Sequence, residues 1–110
     1  MLTGSAQQVV GAIGVAKTKG AKWFGTQSDQ SSLAPEAVVA TQVFDWTGVV
    51  KDMIALHQQG TMGGKAYTLT LANKGLKIVF NAGSPIPDDV KAAADQAIKD
   101  IADGKIKPLP

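Results

Sequence analysis

The stretch Lys22-Trp23-Phe24-Gly25-Thr26-Gln27-Ser28-Asp29-Gln30 constrains the fold of this chain more than any other. It starts as a short apolar run with two aromatics, breaks at a glycine, and becomes a polar cluster without a charge until Asp29. Before it, Val9, Val10, Ile13 and Ala16 keep helical spacing, and Lys17, Lys19 and Gly20 suit a helix end, so a helix is expected over about 7–19. After it, Val38-Val39-Ala40-Thr41-Gln42-Val43-Phe44 is rich in β-branched residues and reads as a strand. A short uninterrupted strand between a helix and another strand is the rhythm of a parallel α/β sheet. Ligands of such sheets bind outside the carboxyl ends of the strands. The polar end of this stretch is therefore expected to face a ligand.

The rest of the chain fits that frame. Met1-Leu2-Thr3 is a very short apolar start. Gly4 to Gln8 has two readings: a helix amino end offering backbone N–H groups to an anion or polar ligand, or a turn that caps itself through Ser5. Val49, Val50, Met53, Ile54 and Leu56 predict a helix over about 47–59, capped by Asp45 or Thr47 and ended by Gly60. His57 reads as a residue of that helix's carboxyl end. Tyr67, Leu69 and Leu71 alternate with polar or small residues, as do Leu76, Ile78 and Phe80 with Lys77 and Val79. With Asn73-Lys74-Gly75 between them, these runs predict an edge hairpin or two edge segments. Pro87-Asp88-Asp89 opens a last helix, whose stripe of Val90, Ala93, Ala94, Ala97, Ile98 and Ile101 runs to about Ala102 before Gly104. The expected fold is α/β, a mainly parallel sheet with flanking helices plus an edge β-hairpin, in a single domain over residues 1–110.

Several kinds of chemistry are excluded or unsupported. The chain has no cysteine and one histidine, so disulfides, thiolate sites and multi-histidine metal sites are out. Its eleven basic residues are all lysine, dispersed against nine acidic ones for a net charge of +2, which does not make a nucleic-acid face. No apolar run approaches the roughly 20 residues of a membrane span. No signal-type segment opens the chain. There is no G-x-S-x-G elbow and no phosphate loop. Gly11-Ala12-Ile13-Gly14 falls inside the first helix, where small residues allow close packing. Asp88 and Asp89 suit a helix start, and Asp95, Asp100 and Asp103 lie on a helix surface. No catalytic residue, metal ligand or cofactor is expected, and the chain reads as a binding protein, not an enzyme. Trp23 and Phe24 read as sheet core, while Phe44 and Trp46 suit core and site equally.

The run Phe24-Gly25-Thr26-Gln27-Ser28-Asp29-Gln30 followed by Ser32-Leu33-Ala34-Pro35 is similar to the G-x-D-S-D-Q…L-A-P pattern of the basic membrane protein family. These are substrate-binding proteins of ABC transporters, related to purine nucleoside receptors. The resemblance continues through Gly11 to Gly20, Val38 to Trp46, Gly63-Gly64-Lys65-Ala66-Tyr67, Gly75-Leu76, and Ile86-Pro87-Asp88-Asp89-Val90-Lys91 to Gly104-Lys105-Ile106. It covers nearly the whole chain, and the order and spacing carry it more than any one motif.

The resemblance implies a partial carboxyl-terminal lobe of a two-lobed type I periplasmic binding protein. The first lobe, the hinge and the first part of the second lobe would lie outside this chain. In its full-length form such a protein is periplasmic or a membrane-anchored lipoprotein, and it passes a nucleoside-like ligand to an ABC permease. The ligand-binding residues implied are Ser5, Gln7, Gln27, Asp29, Phe44, Asp45 and Trp46. Gln27 stands where the family's aspartate engages ribose hydroxyls, and an amide donates with one end where a carboxylate only accepts. Phe44 stands where the family has a lysine, which favours stacking on a flat ring. The expected ligand is thus a purine nucleoside or a related heterocycle. The alternative is a stand-alone interaction or scaffold module that self-associates through an exposed sheet edge. A small enzyme with an unrecognised site is the third reading.

Overall fold

A computed structural model describes residues 6–108. In chain order the elements are α1 (Ala6–Thr18), β1 (Trp23–Gln27), β2 (Val38–Phe44), α2 (Thr47–Gln58), β3 (Leu76–Phe80) and α3 (Asp88–Ala102). Met1 to Ser5 lie outside the described residues, and with them the expected apolar start.

α1 forms where the sequence spacing placed it. Ile13 is buried, with Val9, Ala12 and Ala16 beside it on the same face, and this face packs on Trp23, Ala34, Ala37 and Val38. That is the core. Gly11 and Gly14 do not serve it: a Cβ added at either meets nothing, so they do not mediate the close packing expected of them. Each helix stops at a glycine. Gly20, Gly60 and Gly104 take positive φ, and the N–H that follows each returns to a carbonyl five residues back. This arrangement satisfies the orphan carbonyls of a last turn and needs a residue without a Cβ penalty.

The sheet has the order β1-β2-β3, with β1 and β2 parallel and β2 and β3 antiparallel. The α/β class holds, and the sheet is mixed. β1 and β2 are joined by residues 28–37, a connection of turns without a helix. Asn81 ties the end of β3 to the start of β2, its Nδ2 donating to Pro35 O at 2.7 Å and Val38 O at 2.6 Å.

The expected hairpin forms only in its second arm. Residues 64–70 have no regular structure, although Leu76 N still donates to Thr70 O at 3.0 Å. The Asn73 side chain explains the difference. Its Oδ1 accepts from Thr70 N and Gly75 N at 2.9 Å each, and its Nδ2 donates to Thr68 O at 2.7 Å. One amide thus takes backbone groups that a partner strand otherwise satisfies.

α2 and α3 bury no residue. On α2, Val50, Met53 and Ile54 are each at least half exposed. The radius of gyration is 16.9 Å, against about 13 Å for a compact chain of this size. The buried core therefore sits where α1 meets β1 and β2, and the later helices lie looser around it.

Candidate ligand-binding strand ends

Because β1 and β2 run parallel, their carboxyl ends lie on the same side of the sheet. The register aligns Gln27 with Val43, and Val43 with Lys77. Residues in register share a face, so Gln27, Val43 and Lys77 form one row across the three strands.

β1 ends in a tight turn. Ser28 N donates to Thr26 O at 3.1 Å, and Gln27 between them has φ +79°. This is the positive-φ form of the γ-turn, which is rare and strained for a residue with a side chain. Such strain persists where surrounding structure enforces it, and it gathers at ligand sites. The turn leaves Gln27 exposed. Asp29 follows, and its Oδ1 accepts from the Ser31 hydroxyl at 2.6 Å and Ser31 N at 2.9 Å. These two bonds hold its carboxyl below the usual aspartate range, the hydroxyl more than the N–H.

β2 ends in an ion pair and an aromatic pair. Asp45 Oδ2 accepts from Lys77 Nζ at 2.6 Å, and Oδ1 accepts from Thr47 N at 3.0 Å. Lys77 is the main reason the Asp45 carboxyl lies far below its ordinary value, with Thr47 second. The N-cap of α2 is Trp46, which makes no side-chain cap bond, so neither Asp45 nor Thr47 holds the expected cap position; Asp45 instead binds the first helical N–H from one residue further back. Both of its oxygens are therefore engaged within the chain. The Phe44 and Trp46 rings lie 6.0 Å apart at 55°, within the usual range for aromatic pairs, and Trp46 is 54% exposed. Phe44 is one residue on from Val43 and so belongs to the opposite face from the Gln27 row.

Of the residues expected at the site, Gln27 and Asp45 thus meet the row ending in Lys77, while Phe44 and Trp46 form a separate aromatic edge. Asp29 turns back onto its own loop. Ser5 lies outside the described residues, and the backbone places Gln7 in the first turn of α1. Trp23 is core, as expected, whereas Phe24 is 56% exposed and is not. Two residues of the strand ends were missed by sequence reasoning. Lys77 supplies a cation from β3, and its only local signal was an alternating position in a strand. Gln30 was visible only as part of a motif. The structure buries it behind Trp23.

A separate groove of about 490 Å³ lies between α2 and residues 61–67, lined mainly by apolar groups including Met53, Ile54, Met62 and Tyr67, with His57 and Lys65 at its wall. It does not include the strand ends. Among the described residues no three His, Cys, Asp or Glu side chains gather as a metal-binding group. No described helix is long and apolar enough to cross a membrane.

At these strand ends Gln27 and Lys77 flank Val43, and Trp46 lies exposed beyond the end of β2. The family model for PnrA-like ABC transporter substrate-binding proteins, Bmp, matches residues 1–109, and the chain belongs to that family. Its fold is similar to that of an ABC transporter solute-binding protein from Conexibacter woesei DSM 14684, with a TM-score of 0.63 and 20% identity. The match covers 91% of this chain and 34% of that one, so the chain spans about a third of that protein's length. No curated protein matches it.

Proposed function

We propose that this chain is the ligand-recognition portion of an ABC transporter substrate-binding protein whose ligand is a purine nucleoside or a related heterocycle. The observation that carries the reading is the strained Gln27 at the end of β1, in register with Val43 and Lys77. A side-chain amide held outward on a strand end can donate to one ligand atom and accept from another. The Trp46 ring offers a flat surface for stacking. Asp45, tied to Lys77 and Thr47, serves by fixing the chain from which Trp46 projects. Ser5 and Gln7 remain ligand residues in this reading on the family resemblance alone. The chain recognises a solute and does not transform it. A second lobe closes over the ligand, and an ABC permease receives it. The full-length form is periplasmic or anchored to a membrane as a lipoprotein.

The test is calorimetric titration of inosine, adenosine and riboflavin into the protein, in this chain and in the longest form its gene encodes. Binding to the longer form is expected to weaken about tenfold in Gln27→Ala and in Trp46→Ala, the size of one lost contact. Unchanged affinity in both variants would sink the site assignment.

A second reading has its own support. The exposed apolar residues of α2 and the expanded radius of gyration suit a module that associates with copies of itself.

A further inference from the structure

The geometry points to Gln30 as the positioning residue of the β1 end: its buried amide holds the turn that presents Gln27, and Gly25 is glycine so that this amide can enter. The inference rests on the reading of Gln27 as a ligand-facing residue. It assigns the part of the motif that touches no solute.

Gln30 is 8% exposed. Its Oε1 accepts from the Trp23 indole Nε1 at 2.9 Å, and its Nε2 donates to Thr26 O at 3.0 Å. Thr26 O is the same carbonyl that accepts Ser28 N across Gln27. The one acceptor on which the strained turn closes is thus also gripped from the side by Gln30. An indole N–H only donates, and a carbonyl only accepts. The group between them must accept at one end and donate at the other, which a side-chain amide does and a carboxylate or hydrocarbon does not. Trp23 is itself packed in the core with Ile13 and Val38, so the amide is anchored to a fixed point. The core thereby sets the position of Gln27 through two hydrogen bonds.

Gly25 supplies the room. A Cβ added there clashes with Gln30 Oε1 and falls 2.9 Å from its Cδ and 3.0 Å from Thr41 Oγ1. Gly25 has no positive φ, so its role is space and not backbone conformation. Trp23, Gly25, Thr26 and Gln30 make one unit within the motif. Gln27 is its output.

Two variants separate the roles of the amide. Gln30→Glu keeps an acceptor for Trp23 and removes the donor to Thr26. Gln30→Met removes both. In isotope-labelled protein, the intraresidue HN–Hα Overhauser effect of Gln27 is strong at positive φ and weak in extended backbone. It is expected to be strong in the wild type and to collapse in Gln30→Glu, while the Trp23 indole N–H stays protected from exchange. In Gln30→Met both signals are expected to be lost. Retention of the strong Gln27 effect in both variants would overturn the inference.

The wild type alone gives a further check should either variant fail to fold. The Gln30 Nε2 protons are expected to exchange slowly and to show an Overhauser contact with Ser28 N–H; fast exchange without that contact also overturns the inference. Inosine titration then tests the link to binding, with an expected loss of about tenfold in Gln30→Glu. If the turn relaxes and inosine affinity stays the same, the positioning role is overturned. If the wild-type protein binds no inosine, the nucleoside reading fails, and the Overhauser measurements still decide whether Gln30 holds the turn.

Discussion

Lys77 donates to Asp45 at 2.6 Å, from a strand whose residue lies 32 positions further along the chain. This pair joins the ends of β2 and β3 at the point where α2 begins. It gives the strand-end row a cation that the sequence of β2 lacks.

The pair sets a pH dependence. Asp45 has its folded-state pKa depressed, first by Lys77 and then by Thr47. Its stabilising effect is therefore present above the unfolded carboxylate pKa of about 3.9 and lost as pH falls toward the lower folded value. Carbon-13 detection of the Asp45 carboxyl should show titration well below the ordinary aspartate range. In Lys77→Met that titration is expected to move up toward the ordinary value, with the fold intact.

Core and surface isoleucines should differ sharply. Ile13 is 1% exposed and Ile54 is 54% exposed. Ile13→Ala is expected to cost about 2–5 kcal/mol by cavity formation. Ile54→Ala should stay within about 0.5 kcal/mol. Urea denaturation in a Trp46→Phe background, followed by the emission of Trp23, measures both.

The apolar side of α2 predicts self-association. Met62 is 80% exposed, and Val50, Met53 and Ile54 lie with it along one groove. Sedimentation at micromolar protein is expected to show species larger than a monomer, shifting toward the monomer in Met53→Lys/Ile54→Lys. A clean monomer in the unaltered chain would remove the reason for the substitution.

Ligand should be visible through one tryptophan. The chain has two, of which Trp23 is buried and Trp46 is exposed beside Phe44. Quenching by a bound purine nucleoside is expected to arise from Trp46 and to persist in Trp23→Phe. It should disappear in Trp46→Phe. Quenching that survives in Trp46→Phe would place the ligand elsewhere.

Much of the fold was legible because it rests on local rules. The spacing of Val9, Ile13 and Ala16, the β-branched run Val38 to Phe44, and the glycines at positions 20, 60 and 104 each fix their own segment. The first arm of the expected hairpin or edge pair departs from strand structure for a physical reason. Alternation at Tyr67, Leu69 and Leu71 describes side chains, and it does not say what satisfies the backbone. The Asn73 amide meets Thr68 O and Thr70 N before a strand can. Lys77 was out of reach for a different reason, since its partner is set by strand register, which no local pattern encodes. Its apolar ring makes Phe24 a core candidate in the sequence. The structure exposes it, and Trp23 beside it takes the buried position. The role of Gln30 depends on an indole seven residues earlier and on the missing Cβ of Gly25, a relation that only three dimensions display.

The uncovered faces of α2 and α3 make the stability of this chain a function of its surroundings. Any segment or molecule that covers those helices only when they are folded raises the melting temperature by mass action. The temperature at which α2 and α3 melt then depends on the concentration of what covers them, while α1, β1 and β2 carry their own core. Heating this chain at a series of concentrations should therefore move one transition and leave the other in place.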